Sequence, residues 1–138
     1  MPQEKSLSTN WISRVVLLSL LLMFFTIPHT LEDFATGAPA EAGLPASLLS
    51  FVISVIFFLQ AAGLYWLGQG ERKGLWIHLG LGLFWPLASG FAQLPSILGD
   101  APYRDGFSSV LYVLGMIVIG VLLAVASSLA LRATKQTS

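Results

Sequence analysis

Few side chains in this chain are suited to chemistry, and the densest group of them is His29-Thr30-Leu31-Glu32-Asp33. On a helix, residues three and four apart share a face, so Glu32 and Asp33 both fall beside His29. An imidazole next to carboxylates suits two uses. It is part of a divalent-metal site, or it is a proton-handling or ligand-binding pair. Either use needs more groups, since a catalytic metal takes three protein ligands. Glu41, Asp100 or Asp105 could supply one. The plain alternative is an acidic turn that caps a helix in interfacial water. Beyond this partial set no metal is read from the sequence.

The second histidine, His78, falls near the start of a different apolar segment. If both segments cross a bilayer, the two imidazoles lie roughly 25 Å or more apart. They cannot share one haem or one metal within a chain. His78 alone remains a candidate axial haem ligand, and a bound pigment is equally open. Its ordinary use is a hydrogen bond to Tyr65, Gln69 or lipid phosphate. A third set shares one depth: Thr26, His29, Ser47, Ser50, Ser54, Ser89, Gln93, Ser108, Ser109 and Tyr112, above Trp85 and Pro86. These residues could line an outward-facing pocket between helices. Ser and Thr can satisfy themselves on their own helix. Gln60 and Gln93 are better pointers, because a primary amide needs partners from elsewhere.

The elements that must position these residues follow from the charges. The chain has 138 residues, 55% hydrophobic and 10% charged, with zero formal net charge and no Cys. Soluble domains carry about 25% charged residues. A neutral, charge-poor chain has no basic footprint for nucleic acid, and without Cys there is no disulfide or thiolate site. Uncharged runs cover 15–31, 42–70, 74–99 and 106–131, which are 17, 29, 26 and 26 residues long. A transmembrane helix needs about 20 residues, so each run holds one helix. The runs lack the period-2 alternation of a β-barrel. The sequence predicts an all-α, integral-membrane four-helix bundle in a single domain over 1–138, with helices at about 11–33, 45–67, 74–95 and 106–132.

Orientation follows from the cations. With both termini cytoplasmic, Lys5, Arg14, Arg72, Lys73, Arg132 and Lys135 are inside and only Arg104 is outside, as the positive-inside bias requires. Five acids (Glu32, Asp33, Glu41, Asp100 and Asp105) then lie outside. The segment before Ile27 has the look of a signal peptide, but its apolar core ends well before Ala38-Pro39-Ala40, so a retained anchor is read. Ser8, Thr9 or Asn10 can cap helix 1, which Pro28 ends or kinks. Residues 35–44 read as the outer loop. Small residues allow close helix packing, here Gly82, Pro86 and Gly90 on helix 3, and Gly120, Ala124 and Ser128 on helix 4. Internal packing is the first reading of both stripes, a homodimer seam the second. Helix 1 lacks such a stripe and is expected to have the widest lipid contact.

His29-Thr-Leu-Glu32-Asp33, just after an apolar first helix, resembles the HXXEE family of small bacterial membrane proteins, with Asp in place of the final Glu. The resemblance implies a small multi-helix membrane protein with an outward His–acid pair. No carboxylate or Lys lies mid-span, unlike small multidrug exporters, and no nucleophile, phosphate-loop or zinc motif occurs. The leading functional reading is a non-catalytic accessory subunit or lipophilic-ligand-binding module of the bacterial inner membrane. It partners the bilayer and a membrane protein or second copy, and no nucleic acid. The alternatives are a small-molecule transporter or channel component using the outer polar pocket, and a membrane enzyme using His29 with Glu32 and Asp33.

Overall fold

The computed structural model describes residues 9–136, which form five helices and, among the described residues, no strand. They are α1 (Thr9–Thr36), α2 (Ala38–Glu41), α3 (Ala46–Gly68), α4 (Arg72–Ile97) and α5 (Phe107–Gln136). All but α2 are long and apolar enough to cross a membrane. Lys5 and the capping candidate Ser8 lie outside the described residues, as does the side chain of Lys135.

The long helices overrun the expected ends. Pro28 lies inside α1, and Pro86 and Pro95 lie inside α4. Each proline removes one backbone donor and crowds the carbonyl four residues earlier. The helix nevertheless continues on both sides of each. The stretch read as an outer loop contains the four-residue α2. It is entered through Gly37 at φ 81 and has Pro39 in its first turn.

One stripe of each long helix faces inward. On α1 the buried residues are Val15, Ser19, Leu22, Thr26 and His29, stepping by four and three. On α4 the buried set includes Gly74, His78, Leu81, Gly82, Trp85 and Ser89. On α5, Ser109, Val113, Met116, Gly120, Leu123, Ser127 and Ala130 step the same way. Alternating steps of four and three form the seam of a left-handed bundle. The helices close in the order α1, α5, α4, α3. Neighbours in that ring pack together, and α3 does not meet α5.

Two seams bring backbone against backbone. At the α4–α5 seam a methyl group on Gly82 would stand 2.6 Å from Ala124 N and 2.8 Å from Gly120 O. One on Gly120 would stand 2.6 Å from Pro86 Cδ. At the α3–α4 seam a methyl on Gly74 would stand 2.6 Å from Gly63 O. Gly90 takes no part in a tight seam, since only the Leu94 side chain comes within 3.8 Å of its would-be Cβ. The outermost helix is α3, not α1. Its most apolar window is 11% buried against 22% for α1, because α3 turns only Gln60, Gly63 and Leu67 inward.

Candidate functional site

Polar side chains gather in two places inside the bundle. The first is at the end that carries the loop between α4 and α5. The last inward turns of α1 present His29, Glu32 and Asp33. Gln93 comes from α4, Tyr103 and Arg104 from the loop, and Ser109 from the first turns of α5. Arg104 donates to Asp33 Oδ1 and, at 3.4 Å, to Gln93 Oε1. Tyr103 donates its hydroxyl proton to the same Gln93 oxygen. Ser109 donates to Glu32 Oε1 and accepts from the backbone N–H of Asp105 at 3.2 Å.

These bonds orient the rest. Both loop donors hold Gln93 Oε1, so its amide nitrogen faces His29 and donates to Nε2 at 3.5 Å. His29 Nδ1 faces Glu32 Oε2, 3.7 Å away. That distance is too long for a hydrogen bond. Both atoms are buried and unpartnered. Arg104 Nη1 lies 3.9 Å from Glu32 Oε2. His29 Nε2 also lies 3.5 Å from Asp33 Oδ2, so the imidazole stands between two carboxylates that face one guanidinium. Burial raises the Tyr103 phenol above its ordinary 10.0, as do Asp33 and Glu32, against the opposing charge of Arg104.

Among the described residues no group of three or more His, Asp or Glu is arranged to hold a metal ion. A protein cation, Arg104, is what pairs with Asp33 and approaches Glu32. Asp100 and Glu41, considered as extra ligands, are exposed and join neither carboxylate, and Asp105 contributes only its backbone N–H.

The second place is near the other end, on the inner turns of α1, α3 and α4. Ser19, Gln60 and His78 are fully buried. Gln60 Nε2 donates to Ser19 Oγ at 2.9 Å and to the Ser19 carbonyl at 3.0 Å. His78 Nδ1–H donates to Gly74 O at 2.7 Å. Its Nε2, 2.9 Å from Ser19 Oγ, accepts the hydroxyl proton. The expected partners of His78, Tyr65, Gln69 or lipid phosphate, are thus replaced by Ser19 and Gly74. With both ring nitrogens engaged and no exposed surface, His78 does not fit axial ligation of a haem. Gly63 makes room for it: a methyl there would stand 2.7 Å from His78 Cε1.

The residues expected to line one outward pocket are divided. His29, Gln93 and Ser109 meet in the first cluster, whereas Gln60 belongs to the second, roughly 15 Å away by the rise between Ser19 and His29 on α1. Thr26 and Ser54 bond to carbonyls of their own helices, Met23 O at 3.4 Å and Ser50 O at 2.8 Å. Ser89 is buried against Met116 Sδ at 3.9 Å. Trp85 is buried with Nε1 unpartnered. Tyr112 is half-buried on α5 and joins neither cluster. Sequence reasoning missed Ser19, Tyr103 and Arg104. Ser19 carried a usable signal, since it shares the four-and-three stepping of Val15, Leu22, Thr26 and His29. For Arg104 no local pattern points to a carboxylate 71 residues away.

A groove of about 590 Å³ runs between α4 and α5 on the outer surface of the bundle. Gly82 and Ala124 form its buried floor, and Leu83, Leu87, Val121, Val125 and Leu129 its exposed rim. Pro86 and Ser128 also line it, and Arg132 stands at one end. No protein-family model, curated protein or solved structure matches this chain.

Proposed function

We propose that this chain is a four-pass protein of the bacterial inner membrane, with both termini cytoplasmic. In this reading it serves as a non-catalytic accessory subunit that holds a lipophilic ligand. The four apolar helices support the membrane reading, and the excess of cations at the termini and the α3–α4 turn supports the orientation. The observation that carries the ligand reading is the α4–α5 groove. It is apolar along its length, opens where lipid would lie, and ends at Arg132, an exposed cation without an ion pair among the described residues. From Val121 to Arg132 it runs about 16 Å along α5, and its occupant is an alkyl chain with an anionic head.

Native mass spectrometry of the chain from mild detergent tests this reading. The wild type should retain an anionic amphiphile, and Val125→Trp, which fills the groove from its rim, should lose it. A ligand-free, isolated monomer would overturn the proposal. The resemblance to the HXXEE family is compatible with it but adds no activity.

A second reading, a transporter or channel component, draws on the first cluster, where buried polar atoms remain unpartnered. In that case His29→Ala and Gln93→Leu abolish flux. An enzyme built on His29, Glu32 and Asp33 has less support, because Ser109 and Arg104 already engage both carboxylates.

A further inference from the structure

The cluster around His29 has the composition of a cation receptor, and its present occupant belongs to the chain itself. Glu32 and Asp33 supply two carboxylates, and Gln93 supplies a carbonyl oxygen that already accepts from Arg104. Planar guanidinium donors match carboxylate and amide oxygens well. Arg104 nevertheless leaves the receptor incompletely satisfied. Glu32 Oε2 is 3.9 Å from the guanidinium, beyond hydrogen-bond reach. Glu32 is only 9% exposed and His29 only 4%, and the facing atoms Glu32 Oε2 and His29 Nδ1 have no partner. Burial of an unpaired acceptor is costly.

Arg104 is also held in an unfavourable way. It has φ 41, and it is the non-glycine residue with positive φ among the described residues. Such a conformation is strained for a residue with a side chain and persists only where its surroundings enforce it. The loop that carries it is flanked by Gly99 and Gly106 and contains Pro102, and Asp100 to Pro102 are exposed. Tyr103 and Arg104, with the Asp105 N–H that Ser109 accepts, draw its middle onto the cluster. The guanidinium is 17% exposed, so the site is reached from the bundle end once the loop lifts.

We propose that Glu32, Asp33, Gln93 and His29 form a binding site for a small organic cation, a guanidinium or primary ammonium, which Arg104 fills from within the chain as a competing occupant. An incoming cation takes the Asp33 and Gln93 oxygens and donates to Glu32 Oε2, and the 98–106 loop moves away with Arg104. This stands apart from the α4–α5 groove, which lies on a different surface.

The test uses the full chain in detergent micelles or nanodiscs, with ethylguanidinium as probe and sodium chloride at equal ionic strength as control. Arg104→Ala should bind ethylguanidinium at least tenfold more tightly than the wild type, read by saturation-transfer NMR or calorimetry. The probe should raise the unfolding midpoint of that variant and not of the wild type. Adding Glu32→Gln and Asp33→Asn should remove at least tenfold of the gained affinity. If Arg104→Ala does not fold, a spin label at Asp100→Cys in the otherwise unchanged chain decides. Ethylguanidinium should mobilise the label, and sodium chloride should not. Equal binding by Arg104→Ala and wild type, persistence of binding without the two carboxylates, or an unmoved label would each overturn the proposal. None of these outcomes depends on whether lipid occupies the groove.

Discussion

Ser19→Ala is the substitution whose cost the inner cluster defines most sharply. The Ser19 hydroxyl gives its proton to His78 Nε2 at 2.9 Å and receives one from Gln60 Nε2 at 2.9 Å. It therefore ties α1 to both α3 and α4. Removing it leaves His78 Nε2 buried with no partner, while Gln60 keeps the Ser19 carbonyl at 3.0 Å. Interhelical hydrogen bonds in membrane bundles average about 0.6 kcal/mol and reach about 1.7, while removing one partner of a buried pair in soluble proteins costs about 1–3 kcal/mol in all. The expected loss is about 1–2 kcal/mol. Gln60→Met is the informative comparison. It removes an amide whose Oε1 is already buried and unpartnered, keeps the volume, and leaves the Ser19–His78 bond intact. Its cost should stay under about 1 kcal/mol. Reversible unfolding in mixed micelles with rising dodecyl sulfate, followed by tryptophan fluorescence and far-UV dichroism, measures both. A Ser19→Ala cost near zero, or a Gln60→Met cost larger than that of Ser19→Ala, would refute the reasoning.

Three further outcomes follow from the same geometry. Gly82→Val should destabilise by about 1–3 kcal/mol or more, because its Cβ meets the α5 backbone at Ala124 and Gly120, which cannot give way as a side chain can. Gly80→Ala, with nothing within 4 Å of its would-be Cβ, should instead stabilise by about 0.5–1 kcal/mol, and the same unfolding assay reads both. Tyr103 has its phenol raised in the folded chain, so its stabilising contribution is complete below pH 10.0 and is lost as pH rises through the higher folded value. Ultraviolet titration of tyrosinate should show one late-ionising group that Tyr103→Phe removes.

Much of the fold was legible because it depends on one-dimensional facts. Charges at residues such as Arg72, Lys73, Asp100 and Arg104 cannot sit cheaply in an apolar medium, so their spacing marks where apolar helices begin and end. The prolines were harder to read. Pro28 and Pro95 look like stops locally, yet the helices continue through them, as the expected helix already did through Pro86. The site was less legible still. Two primary amides, Gln60 and Gln93, both pointed to an interhelical partner, but only packing shows that one meets Ser19 and the other His29.

Sequence alone was enough to establish an all-helical chain with four long apolar helices and a His–acid face at one end, since burial cost and helical period act along the chain. Tertiary packing assigned the partners. Only the fold brings Ser19 to His78 across 59 residues and Arg104 to Asp33 across 71. A hydrogen bond or ion pair depends on distances of about 3 Å, and such distances between remote residues are a property of packing that no local pattern encodes.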